Sequence, residues 1–195
     1  MPRGRPREFD VDDALDRALL VFWRKGYEGA SLPELTRAMG INRPSLYAAF
    51  GNKERLFRRA LDRYAEGPAA YVGEALAEPT ARAVAERLLR GAAELLAGPR
   101  SPRGCLLVQG ALACGEGAEP VRRELVARRA AGEAALRKRF ERAAAEGDLP
   151  AGADCGDLAR YVVTVIHGMA VQAAGGAGRE QLRRVAEIAL RAWPA

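Results

Sequence analysis

The sequence predicts an all-α protein. Apolar residues recur three and four positions apart along most of the 195-residue chain, which is the spacing of one face of a helix. Glycine and proline pairs such as Gly98-Pro99 interrupt these segments where helices would end. No run alternates apolar and polar residues, and no hairpin dipeptide joins two apolar segments, so nothing favours a sheet.

The first helix is predicted from about Asp10 to Lys25. Asp10 is a good N-cap, and the acidic residues that follow suit the positive end of a helix dipole. Lys25 and Gly26 then end the helix. Its apolar stripe consists of Val11, Ala14, Leu15, Ala18, Leu19 and Phe22.

The stretch 31–56 predicts two short helices joined by a tight turn. Ser31 and Glu34 have the spacing at which a hydroxyl and a carboxylate cap each other's end of a helix. That helix stops at Gly40, and a second begins almost at once with Pro44 in its first turn. Two helices this close must cross at a steep angle. This is the helix-turn-helix geometry, whose second helix enters a DNA major groove, so we expect a DNA-binding regulator.

Residues 22–57, FWRKGYEGASLPELTRAMGINRPSLYAAFGNKERLF, resemble the DNA-binding domain of TetR-family transcriptional regulators. The resemblance is specific over residues 8–64, and the rest of the chain matches only in its helical layout. It implies an N-terminal three-helix domain joined by a shared helix to a larger helical domain that binds an effector and dimerises. The matching residues are Phe22, Lys25, Gly26, Tyr27, Ser31, Gly40, Ile41, Leu46, Tyr47, Phe50, Lys53, Glu54 and Leu56.

The second helix of the motif carries the predicted base contacts. Leu46 and Phe50 form its buried side, so the opposite side faces the groove. An arginine there can bond guanine O6 and N7 together, and hydroxyl groups can reach phosphates. Two alternatives remain open, a core aromatic at Tyr47 and a solvated charge at Arg43. The groove-facing residues are Arg43, Pro44, Ser45, Tyr47 and Ala48.

Further predicted DNA contacts flank this helix. The resemblance implies that Tyr47 and Lys53 contact the DNA backbone. Ser31 is a further predicted DNA-binding residue. Residues 2–7, PRGRPR, are either a disordered basic tail or an arm whose Arg3 and Arg5 follow phosphates or enter the minor groove. The chain has a net charge of +6, of which residues 1–64 carry +4, and this basic excess favours a polyanionic partner.

The larger domain is expected to begin within a long helix. That helix starts near Asn52 and reaches Glu78-Pro79, with a kink or break at Gly67-Pro68. We predict a flexible arm over 1–8, a DNA-binding domain over 9–64 and an effector-binding and dimerisation domain over 65–195. Helices are predicted over 80–97, 105–113, 120–146, from Asp154 to about 174, and over 179–193.

The last two helices are apolar and antiparallel, so they either complete the core or face a second copy. The resemblance implies a four-helix dimer interface. Two copies related by a two-fold axis can also read a palindromic DNA site. We therefore expect a homodimer.

We expect no catalysis, cofactor or metal site. The chain has one histidine, no CxxC pair and no phosphate-binding glycine motif. It has no N-terminal export signal and no apolar run that approaches the roughly 18 residues of a membrane span, so we expect a cytoplasmic protein. His167 is read as a core or interface histidine or as a ligand contact.

The predicted function is a repressor that a small apolar effector releases from a palindromic operator. Candidate effector contacts on predicted inward faces are Tyr71, Cys105, Gln109, Tyr161 and His167. One alternative is a redox- or electrophile-responsive regulator, because Cys105 at a helix start is either an inert thiol or a reactive one. Another is an all-α ligand carrier or enzyme in which the helix-turn-helix is only structural.

Overall fold

The computed structural model describes residues 9–99, 101–112 and 118–194, and this part of the chain is all-helical, as predicted. The N-terminal arm with Arg3 and Arg5, and Cys114, lie outside these residues. The helices of the described ranges are α1 (Val11–Gly29), α2 (Leu32–Met39), α3 (Arg43–Phe50), α4 (Lys53–Glu66), α5 (Tyr71–Leu76), α6 (Ala81–Leu96), α7 (Leu106–Leu112), α8 (Glu119–Ala145), α9 (Cys155–Ala174) and α10 (Arg179–Arg191).

The start of α1 follows the predicted capping, and its end shows a sharp turn. The Asp10 carboxylate accepts the backbone N–H groups of Asp12 and Asp13. Gly26 has a φ of 69°, a left-handed conformation that favours glycine. The α1 span therefore contains a kink at the point where the sequence predicts the helix to end.

Only half of the predicted capping box at α2 is present. The Ser31 Oγ accepts the N–H of Glu34 at 3.3 Å, as predicted. The Glu34 carboxylate does not return to the cap, because it pairs with the Lys25 ammonium at 2.7 Å. This ion pair joins the end of α1 to the first turn of α2.

Asparagine caps and glycine turns fix α3 and α4. Asn42 accepts the N–H of Ser45, and Asn52 accepts the N–H of Arg55, each at 2.8 Å. Gly40, between α2 and α3, has a φ of 69°, so the chain turns there without cost to a side chain. Leu46 and Phe50 pack into a core formed with α1, α2 and α4.

The helix that starts at Asn52 breaks at Gly67, which decides between the predicted kink and break. α4 ends at Glu66, and the short α5 begins only at Tyr71. Gly67 has φ and ψ of −107° and −95°, which is not helical, and Pro68 cannot donate the next helical hydrogen bond.

A second core lies between α6, α8, α9 and α10, with α5 packed against α6. Phe140 and Trp193 meet there edge to face, with ring centroids 5.3 Å apart. The buried Arg139 guanidinium donates to the Glu78 carbonyl at 2.6 Å. Of the described helices, none combines the length and apolar character that a membrane span needs.

The segment around α7 joins the two cores. Leu106, Val121 and Leu125 belong to the larger lobe by sequence, yet they pack in the core of α1–α4. The Trp23 Nε1–H of α1 donates to the Gly104 carbonyl at 2.9 Å in a buried site. The Trp23 ring also meets the Tyr64 ring edge to face, with centroids 4.7 Å apart. The two lobes therefore pack directly against each other and share one of their cores.

We predict that Trp23→Phe destabilises the protein by about 1–3 kcal/mol beyond its loss of ring volume, because the buried Gly104 carbonyl loses its donor. Urea unfolding at neutral pH would measure the change. Trp193→Phe is the matched control, because Trp193 is also buried but donates no indole hydrogen bond to a described residue. Equal losses in the two variants would contradict the prediction.

Candidate nucleic-acid interface and effector cavity

The predicted reading face of α3 is solvent-exposed. Leu46 and Phe50 are buried, and the opposite side of the helix points outward. Tyr47 is 47% exposed, which excludes the alternative of a core aromatic. Ser45 is half-buried at the edge of this face, so it is less available than predicted. The exposed residues are Arg43, Pro44, Tyr47 and Ala48.

Two predicted phosphate contacts lie beside α3. The Ser31 side chain is exposed, and its Oγ accepts a backbone N–H, which leaves the hydroxyl proton free to donate. Lys53 is half-buried at the first position of α4. Burial lowers its pKa, and the nearby Glu28 partly opposes that shift.

The Lys53 ammonium is held over an aromatic ring. Its Nζ lies 4.5 Å from the centre of the Tyr27 ring, a geometry that attracts the cation to the ring face. Tyr27 packs in turn on Phe22 and Phe57, with centroids 6.5 and 5.3 Å away. The sequence predicts Tyr27 as a core residue but not its support of Lys53, because the contact joins residues 26 positions apart.

Ion pairs tie α4 to helices on both sides. Arg63 of α4 donates two hydrogen bonds to Asp16 of α1, at 2.7 and 2.8 Å, and they hold the pKa of Asp16 below its usual value. Asp62 of α4 accepts from Arg128 of α8 at 2.7 Å. The helix that carries Lys53 thus contacts α1 and the larger lobe at once.

A largely apolar cavity of about 310 Å³ lies in the larger lobe, next to α4. A wider outer groove between α5 and α6 is lined by charged side chains, several of them ion-paired, which suits an apolar ligand poorly. The cavity is lined by Tyr64, Ala69, Tyr71, Val72, Gly73, Leu76, Leu88, Leu95, Leu96, Cys105, Leu107, Arg128, Arg129, Gly132, Glu133, Ala135, Leu136, Val163, Ile166 and His167.

Three of the five candidate effector residues line this cavity, namely Tyr71, Cys105 and His167. Tyr161 does not, and its predicted inward position is wrong. It is 37% exposed, because its hydroxyl reaches across to the Ala189 carbonyl of α10 at 3.2 Å. Gln109 also lies outside the lining, since its side chain packs against Gly104 instead.

The polar groups of the cavity surround the Cys105 thiol and the His167 ring. The Tyr64 hydroxyl donates to the Cys105 Sγ at 3.6 Å. Burial raises the pKa of both Tyr64 and Tyr71, so both phenols are neutral donors. Burial, and then the charge of Arg129, lower the pKa of His167, so its imidazole is neutral at pH 7.

Sequence reasoning missed the charged residues of the lining, Arg128, Arg129 and Glu133. They belong to an arginine-rich helix and look like part of its solvated face. A signal was present, because Arg129 and Glu133 precede the buried Leu136 by seven and three residues and so share its side of α8. Within the described ranges, no group of three or more histidine, cysteine, aspartate or glutamate residues could hold a metal ion.

Comparison with known proteins agrees with this arrangement. The chain matches the family described as bacterial regulatory proteins, tetR family, over residues 14–60, and the tetracyclin repressor-like C-terminal domain over residues 80–189. It is 35% identical over 194 residues to the HTH-type transcriptional repressor ComR of Escherichia coli (strain K12), covering 98% of this chain and 92% of that protein.

Solved structures are similar over the whole fold. One is a cysteine-substituted form of the TetR family transcriptional regulator CifR, complexed with 26-bp double-strand operator DNA. It is 48% identical, covers 97% of this chain and 100% of that chain, and has a TM-score of 0.93. Another is a putative TetR transcriptional regulator from Rhodococcus sp. RHA1, at 44% identity, 95% and 100% coverage and a TM-score of 0.64.

Proposed function

The chain belongs to the TetR family of transcriptional regulators, and we propose that it is a repressor that binds a palindromic operator as a homodimer and is released by a small molecule. The observation that carries this proposal is the exposed side of α3. A short helix with a capped start and a buried back presents an arginine, an exposed tyrosine and a small alanine to solvent.

In this proposal α3 reads bases in the major groove. Arg43 stands at the first position of the helix and is exposed, so its guanidinium can bond the O6 and N7 of a guanine. Ala48 offers a methyl group for contact with a thymine methyl. Pro44 and Ser45 pack close to the groove edge, and Tyr47 reaches a phosphate through its hydroxyl.

Phosphate contacts on either side set the position of α3. Ser31 donates its hydroxyl proton from the start of α2, and Lys53 offers its charge at the start of α4. The free N–H groups at the start of α4 favour an anion as well. The arm with Arg3 and Arg5 extends the same contact along the DNA.

The dimer is proposed to form through α9 and α10. These helices carry large aliphatic side chains that face solvent in the single chain: Val171 at 51%, Val185 at 41% and Ile188 at 62% exposure. Exposed aliphatic groups on two adjacent helices favour an isologous contact with a second copy. We divide the chain for this purpose into the DNA-binding domain 9–64 and the effector and dimerisation domain 65–195.

The cavity is the proposed effector site. Release of DNA requires only that the ligand bind more tightly to the conformation that does not fit the operator. Tyr64 of α4 lines the cavity, so a bound ligand would contact the same helix that carries Lys53. In this proposal the protein acts by binding in the cytoplasm, where bacterial DNA lies, and not by catalysis.

A second candidate is regulation through the Cys105 thiol. The thiol lines the cavity and accepts a hydrogen bond from Tyr64, which favours a role in sensing an electrophile or oxidant. Burial, and then Glu141, raise the pKa of the Cys155 thiol, so it carries less of the nucleophilic thiolate at pH 7 than an ordinary cysteine.

Alkylation tests this second candidate. If Cys105 is the sensor, iodoacetamide should weaken operator binding by the wild-type protein but not by Cys105→Ala. Fluorescence anisotropy with labelled operator DNA would measure both. Unchanged affinity of the alkylated wild type removes the candidate.

Arg43→Ala and Lys53→Ala should affect DNA binding differently. Arg43→Ala should lose about 1–3 kcal/mol of discrimination at one base position, because its contact is to a base. Lys53→Ala should weaken binding to all sequences about equally and reduce the slope of log K against log salt by about 1. Gel retardation and anisotropy with the upstream region of its own gene would measure both.

Arg142→Ala is the control for these variants, because Arg142 is exposed on α8 in the larger lobe. It should bind operator DNA like the wild type. If Arg43→Ala and Lys53→Ala do so too, the assignment of the reading face is wrong. If the wild type does not bind this DNA above non-specific affinity, the proposed repressor function fails for that operator.

Ile188→Glu should convert the dimer to a monomer, because each copy would bury an uncompensated charge that costs about 3–5 kcal/mol. Size-exclusion chromatography with light scattering would show the mass. Val126→Glu is the control, since Val126 is an exposed aliphatic residue of α8, outside the two helices proposed to form the interface, and its dimer should persist. A dimeric Ile188→Glu variant would overturn the proposed interface.

A further inference from the structure

One charge in the cavity wall lacks a counter-ion within the described part of the chain. Three charged side chains line the cavity: Arg128, Arg129 and Glu133. Arg128 is neutralised twice, by Asp62 and by Glu124, each at 2.7 Å. Glu133 pairs with Arg160 of α9 at 3.2 Å. Arg129 forms no ion pair with a described carboxylate.

Arg129 is also poorly hydrogen-bonded. It donates to the Leu107 carbonyl at 3.5 Å, the outer limit of a hydrogen bond. The neighbouring His167 is neutral because burial and Arg129 itself lower its pKa. A half-buried guanidinium with one long bond to a neutral acceptor is therefore the group in this wall with most to gain from an anion.

The rest of the lining is largely apolar, apart from the polar groups of Tyr64, Tyr71, Cys105 and His167. Nine leucine, valine and isoleucine side chains, from α5, α6, α7, α8 and α9, contribute to the wall. The volume of about 310 Å³ corresponds to about ten waters at about 30 Å³ each. The site suits a small molecule of about that many non-hydrogen atoms, mostly apolar.

We propose that the cavity binds a small apolar monocarboxylate, such as a medium-chain or aryl-substituted acid, whose carboxylate pairs with Arg129. This names the class of the effector and so rests on the proposed function for its biological meaning, although the binding itself does not. A carboxylate accepts two parallel hydrogen bonds from a guanidinium. It displaces only the long contact with Leu107, and the hydrocarbon part fills the apolar wall.

The contact between Arg129 and Leu107 also connects the ligand site to the DNA-binding domain (residues 9–64). Leu107 belongs to α7, and α7 packs against both α1 and α8. When Arg129 turns to a carboxylate, the side-chain link between α8 and the Leu107 carbonyl is lost. α7 thereby loses one of its links to α8.

Octanoate and octanamide provide the first test, because they match in shape and differ in charge. Isothermal titration with the full-length wild type should give at least tenfold tighter binding of octanoate than of octanamide, since a charge-assisted pair exceeds a neutral one by about that factor. Arg129→Gln should remove the preference and leave octanamide binding unchanged. Arg129→Lys should keep part of it.

Arg123→Gln is the control, because Arg123 lies on the same helix with its side chain 71% exposed. It should bind octanoate like the wild type. Circular dichroism and retained octanamide binding would show that Arg129→Gln is folded.

Equal binding of octanoate and octanamide by the wild type would overturn the proposal, as would an octanoate preference that survives in Arg129→Gln, or no binding of either ligand. Operator binding measured in the same samples separates this from the proposed function. If octanoate binds through Arg129 but leaves operator affinity unchanged, the ligand class stands and the effector role fails. If the wild type binds no operator DNA, the repressor function fails whatever octanoate does.

Discussion

The hydrogen bond from the Trp23 indole to the Gly104 carbonyl joins the DNA-binding domain to the lobe that holds the cavity. It lies where α1 meets the segment that leads into α7, and the next residue, Cys105, lines the cavity. Gly104 has a φ of 86°, and a Cβ there would lie 2.6 Å from the Gln109 amide. Both the backbone shape and the space therefore require glycine, and the carbonyl is aimed at Trp23 as a consequence. The hydrogen bond thus links this segment to α1 directly.

The relative strengths of ion pairs and buried side chains decide what holds α4 in place. The pair of Asp16 and Arg63 has good two-fold geometry, but its side chains are 49% and 37% exposed, so water screens it. Because the pKa of Asp16 is lowered, this pair stabilises the fold above the unfolded carboxylate's pKa and is lost as the pH falls. Exposed pairs contribute about 0–1 kcal/mol, whereas a fully buried leucine contributes about 1.5–3 kcal/mol. The shared core of Leu56, Leu61, Leu106 and Leu125 therefore holds α4, and the ion pairs only orient it.

Local signals account for the parts of this fold that the sequence predicts well. The cap at Asp10, the helix start near Asn52 and the break at Gly67 depend on neighbours in the chain, so each can be read from a few residues. Contacts between residues on different helices cannot be predicted in this way. Glu34 leaves its cap for Lys25, and Tyr161 turns outward to bond the Ala189 carbonyl of α10. In both cases the competing partner lies on another helix, which helical periodicity cannot report.

The cavity wall also shows what sequence reasoning misses, because a charge that looks solvated in the sequence is partly buried in the structure. Arg129 stands among the arginines of α8, most of which pair with carboxylates one turn away on the same helix. Its own neighbour at that spacing, Glu133, is instead taken by Arg160 of α9. The packing of α9 against α8 thus removes the local counter-ion and leaves the guanidinium beside a hydrocarbon wall. The proposed selectivity of the site for an anion therefore depends on tertiary structure, since in an isolated α8 the same arginine could pair with Glu133.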